Sequence, residues 1–168
     1  TTMPALTLSK KIFITFFLVA LGTAFFFSCL NSYDRTHFSP VQTGHHYKGS
    51  AENQGYGEEF SYPMSYGEVI EVMHVHAFLI PLIIFVMSRI LSMTKAGEGI
   101  KITVYVSAFI GVIMNLSGPY LIIYASDIFS ETLIASYVIL GSCFIAFISL
   151  PIYKMWSRKP AEESDYWL

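Results

Sequence analysis

The chain has 168 residues, 54% of them apolar and only 13% charged, with a net charge of −2; its mean hydropathy is +0.53. About a quarter of a soluble domain is charged, so this composition points to a chain that crosses a membrane several times. No basic cluster exceeds two adjacent residues, which argues against nucleic acid as a partner. Its two cysteines lack CxxC, CxxCH or zinc-finger spacing, which argues against covalent c-type haem and thiolate clusters.

A short polar head, residues 1–11, ends in Lys10 and Lys11 and precedes the apolar run 12–30. About 20 apolar residues cross a bilayer as a helix, so this run is expected to be a retained first transmembrane helix rather than a cleaved signal peptide. Residues 31–66 are polar, punctuated by Gly and Pro, rich in aromatics, and carry His37, His45 and His46. A segment of that length is too long for a passive connection and too aromatic for a disordered tether, so it is expected to fold as a cap.

The run 67–93 reads as a second transmembrane helix whose first turns hold Glu68, Glu71, His74 and His76, with Arg89 and Lys95 marking its far end. A third helix is expected over 100–124 with Asn115 near its middle, and a fourth over 132–156 after a short turn around Asp127. Residues 157–168 form a C-terminal tail. Short turns make the last three helices antiparallel neighbours. The fold class is therefore all-α: a four-helix transmembrane bundle with a structured external loop between helices 1 and 2.

Eight of the ten Lys and Arg residues fall at one end of this bundle, and only Arg35 and Lys48 at the other. The positive-inside rule then places both termini in the cytoplasm and loop 31–66 outside. All five histidines lie at that outer end, with Glu68, Glu71 and Asp127. Ionisable groups so close to hydrocarbon cost several kcal/mol by most estimates, so they call for a role.

Helical geometry limits that role. Glu68, Glu71 and His74 are three apart and share a face, whereas His74 and His76 stand about 200° apart and cannot both ligate one ion from an unbroken helix. A b-type haem takes two neutral imidazoles, commonly from different elements. One would come from His74 or His76 and the other from the loop, with His46 and His37 as candidates. A copper or zinc site could instead draw on His45, His46, His74, His76 and Glu71.

The remaining polar positions read as structural. Glu68 is expected to tie loop to helix, Asn115 to bond across helices, and Asp127 and Arg89 to mark helix ends. No nucleophile and base pair, phosphate-binding Gly loop or open metal triad is legible, so the chain does not read as an enzyme on its own.

The segments His37-Phe38, His46-Tyr47-Lys48-Gly49, Tyr62-Pro63-x-Ser65 and Glu68-x-x-Glu71-x-x-His74-x-His76-x-Phe78-x-x-Pro81, with Arg89, resemble those of a group of bacterial four-helix integral membrane proteins with H-Y-[RK]-G and E-x-x-H-x-H segments. The likeness covers roughly the middle third of the chain. It implies the fold and a bacterial inner-membrane location, and it implies no particular activity.

Three classes of function follow. The chain is expected to be a small integral subunit of an electron-transfer or respiratory-type complex, binding haem b or contacting a partner's cofactor. Alternatives are a copper- or zinc-handling membrane protein and a cofactor-free scaffold or assembly subunit. Expected partners are the lipid bilayer with other membrane subunits or further copies of the chain.

Overall fold

A computed structural model describes residues 7–49 and 62–157, and within them every regular element is helical. Five helices follow one another: α1 (Leu8–Thr36), α2 (Pro40–Lys48), α3 (Tyr66–Ser92), α4 (Glu98–Tyr124) and α5 (Phe129–Trp156). Four of them, α1, α3, α4 and α5, are long and apolar enough to span a bilayer. At about 1.5 Å per residue each exceeds the ~30 Å hydrocarbon thickness.

Two differences from the sequence expectation concern the first half. The first helix runs from Leu8 to Thr36 and so extends beyond both ends of the 12–30 run. The expected outer loop contains a helix of its own, α2. Residues 50–61 of that loop and the C-terminal tail from 158 onward lie outside the described residues.

The α1–α2 junction is tight. His37 and Phe38 both adopt left-handed backbone, at φ 46° and 50°, a region that non-glycine residues enter rarely, His more readily than most. The His37 amide donates to the Tyr33 carbonyl at 2.7 Å, which closes α1. The Phe38 amide reaches Thr36 Oγ1 at 3.3 Å, and Pro40 then opens α2 at a position where its missing N–H costs nothing.

Helix α3 starts with a capping box. The Glu68 amide donates to Ser65 Oγ at 3.3 Å, while the Ser65 amide donates to Glu68 Oε2 at 2.7 Å. Two otherwise orphaned donors are thereby satisfied reciprocally. At its other end Lys101 is buried, with Nζ donating to Glu98 Oε1 at 2.9 Å and to the Ser92 carbonyl at 3.3 Å. Tyr105 adds a hydroxyl bond to the Ser88 carbonyl at 3.2 Å, pinning α3 to α4.

The α4–α5 hairpin is the most closely packed part. Gly111, Asn115 and Gly118 follow one face of α4, and a Cβ at Gly118 would stand 2.8 Å from Leu133 Cδ1. A Cβ at Gly111 would meet Leu140 and Ile139 at 3.0 to 3.1 Å. Between these glycines Asn115 Nδ2 donates to Ser136 Oγ at 3.1 Å, and Ser136 Oγ donates to the Leu133 carbonyl at 2.6 Å.

Helix α1 leans on α5 through Phe25 stacked on Phe144, centroids 4.2 Å apart, and through Trp156 Nε1 donating to Thr15 Oγ1 at 3.1 Å. All four long helices contribute to one core of Leu18, Met87, Leu91, Val104, Ala108, Cys143, Phe144 and Phe147. That core fills the half of the bundle distant from α2.

Candidate functional site

Near α2 the bundle is hollow. A cavity of about 330 Å³ lies there, within the range of small-molecule and cofactor sites. Helix α1 supplies one wall through Phe25, Ser28, Asn31 and Arg35, and α3 another through Val72, His76 and Ile80. Asn115 of α4 and Tyr137, Leu140 and Phe144 of α5 add to the lining, and Thr43, His46 and Tyr47 of α2 complete it.

Several contacts hold α2 in place over this space. Lys48 Nζ pairs with Asp127 Oδ1 at 2.7 Å, tying the end of α2 to the α4–α5 turn. Gly44 lies so close to that turn that an added Cβ would stand 3.6 Å from Ser130 Oγ and 3.8 Å from Asp127 Oδ1. The Phe38 ring meets the Tyr137 ring with centroids 5.8 Å apart, and the Met64 amide donates to the Tyr47 carbonyl at 3.1 Å.

The five histidines have different surroundings. His46 and His76 both line the cavity, from α2 and α3. His37 caps α1 and packs edge-on against Tyr33, centroids 5.2 Å apart. His45 is half-buried on α2 and His74 exposed on α3; neither lines the cavity. Glu71 is likewise exposed and apart from it. Among the described residues no three His, Cys, Asp or Glu side chains gather closely enough to hold a metal ion.

His76 is oriented by its own helix. Its Nδ1 lies 2.7 Å from the Val72 carbonyl. A carbonyl only accepts, so Nδ1 carries the proton and, in the neutral ring, the lone pair sits on Nε2. A backbone carbonyl fixing one imidazole nitrogen is the usual support of a histidine that ligates through the other.

His46 is electrostatically disposed to be neutral. Burial lowers its pKa below the ordinary histidine value, and the nearby Arg35 guanidinium lowers it further. The same burial pushes the Tyr47 phenol well up, helped by Tyr137 and opposed by Arg35. The phenol therefore stays protonated and able to donate.

The other polar positions have structural partners: Glu68 in the capping box, Asn115 on Ser136, Asp127 on Lys48. Arg89 sits in the last turn of α3, at the opposite end of the bundle, where a cation complements the helix dipole. Sequence reasoning missed Arg35, Tyr47, Tyr137, Thr43 and Asn31. A signal was present: Ser28, Asn31, Ser32 and Arg35 recur at helical spacing and form a polar stripe on an otherwise apolar helix.

Four lipid-length apolar helices closing around one core define an integral membrane protein that contacts the bilayer. A family model described as a transmembrane helical domain, Aq_1264_TM, matches residues 37–162, and the chain belongs to that family. The match includes the segments between His46 and Pro81 whose motifs resemble four-helix bacterial membrane proteins. No curated protein and no solved structure matches the chain.

Proposed function

We propose that the chain is a small integral subunit of a membrane electron-transfer assembly in which His46 and His76 hold a b-type haem. One observation carries this reading: two imidazoles from separate elements line one largely apolar cavity, and one of them has its Nδ1 committed to a backbone carbonyl. Residues that would hold the iron through imidazole would need to be neutral. The burial of His46 favours that form, and the hydrogen bond of His76 leaves its Nε2 free.

The rest of the lining suits a flat, apolar macrocycle. Phe25 and Phe144 stack on each other at the wall, with Ile80, Leu140 and Leu133 around them. Bound there, the group would supply one-electron transfer. The protein's part is to orient His76 through Val72, keep His46 unprotonated, and exclude water with α2. The cation distribution supports an orientation with α2 outside and both termini in the cytoplasm.

The test is a reduced-minus-oxidised absorption spectrum of the purified protein. A Soret and α-band pair is expected in the parent and in a His45→Ala/His74→Ala variant, and is lost in His46→Ala and in His76→Ala. Absence of these bands from the parent, or their loss only in the His45/His74 variant, would refute the assignment.

A further inference from the structure

The cavity has a complete floor and an incomplete side. Leu133, Leu140 and Phe144 of α5 are buried beneath it, whereas many of the residues that α1 and α3 contribute are exposed. On α1 the lining face divides lengthwise. Leu21 and Phe25 are half-buried on the flank where Phe25 stacks on Phe144, while Ala24, Ser28 and Asn31 on the other flank are exposed. Val72 and His76 of α3 likewise line the cavity and are exposed, with Ile80 and Ile83 half-buried beside them.

Packing explains which side is open. Helix α1 rests on α5 and α2, and α3 on α4 and α5, while α1 and α3 barely touch. Residues that line a cavity and are exposed at once form its rim, so the rim runs between α1 and α3. Ala24 lies near the middle of α1 and Ile80 near the middle of α3, so the opening descends to the depth of the hydrocarbon layer. Beside it Phe27 of α1 and Leu79 of α3 are exposed and apolar, which suits contact with lipid chains. Helix α2, by contrast, is fastened: Lys48 pairs with Asp127, and Gly44 sits against Ser130.

We infer that the space between α1 and α3 is a lateral mouth through which the cavity is filled from the lipid bilayer, with α2 remaining docked. The surface around the mouth faces membrane hydrocarbon, and the guest is a molecule dissolved there. On the haem reading above, on which this rests, that guest is the porphyrin. A flat, largely apolar ring is favoured in hydrocarbon over water and can pass edge-on between two helices. The small side chains of Ala24 and Ser28 keep the α1 side of the passage low.

The two readings can fail separately. Haem-free full-length protein carrying Cys29→Ser and Cys143→Ala is reconstituted in phosphatidylcholine vesicles, haemin is added to the vesicles, and Soret absorbance gives the rates of uptake and release. A Cβ at Gly44 would stand 3.6 Å from Ser130 Oγ, so Gly44→Cys/Ser130→Cys offers a disulfide that locks α2 to α5. Its oxidised and reduced forms are expected to take up haemin at the same rate. Ala24→Trp narrows the mouth and is expected to slow uptake and release alike, by about tenfold or more. Ala24→Leu, a smaller plug, slows both by a lesser factor and serves if the tryptophan variant does not fold.

A disulfide that halts the uptake seen in the reduced form brings the guest in past α2, which overturns the mouth and leaves the histidine assignment standing. So does an uptake rate left unchanged by both Ala24 variants, even where release is faster, since the added side chain has then only taken up room in the cavity. Failure of the parent to bind haemin removes this inference and the haem reading together.

Discussion

His46 combines a cavity position with a displaced protonation equilibrium. Burial, and then Arg35, lower its pKa in the folded protein, while in the unfolded chain it titrates near 6.5. Between these values the unfolded state binds more protons than the folded one, so stability rises with pH across that window. Acidifying the haem-free protein from pH 7 toward 5 is therefore expected to lower its thermal midpoint in detergent, followed by circular dichroism. His46→Gln should show a smaller loss over the same range. Superimposable pH profiles for the two proteins would mean that His46 is not the group responsible.

Helix contacts are decided by a few small residues. Gly118 faces Leu133 so closely that Gly118→Ala must displace that side chain or part α4 from α5. Overpacking of this kind costs about 1–3 kcal/mol. At Gly99 an added Cβ meets nothing within 4 Å, so Gly99→Ala is expected to be neutral or slightly stabilising. Thermal unfolding of both variants checks the contrast, and equal midpoints would show that the Gly118 contact is not tight in the membrane protein. The long helices were readable because an apolar run of spanning length has few alternatives. Helix α2 was not, since Pro40–Lys48 is polar and shows no apolar period, and its docking depends on Asp127 and Ser130, far away in sequence. The last turns of α1 were missed for a related reason: Asn31, Ser32, Asp34 and Arg35 end the hydrophobic run without ending the helix. Of the cavity, His46 and His76 were legible as ionisable groups at a membrane boundary. Which histidines would line one cavity was not, because that depends on how α2 folds back.

Across the whole molecule, charge is sorted by end. Among the described residues Lys10, Lys11, Arg89, Lys95, Lys101 and Lys154 flank the packed half, and only Arg35 and Lys48 flank the half bearing α2. If the orientation is the proposed one, with the termini in the cytoplasm, a fluorescent protein fused after Leu168 should fluoresce and an alkaline phosphatase fused there should stay inactive. The opposite pattern would reverse the proposed orientation and put the cavity on the cytoplasmic side. The bundle is solid at one end, where Leu18, Met87 and Phe147 interlock, and scooped out at the other. Breathing concentrates where fewer side chains mesh. Traffic into or out of the socket would therefore disturb the neighbourhood of the short helix and leave the seam at the far end shut, so that a guest can be exchanged without the spans coming apart.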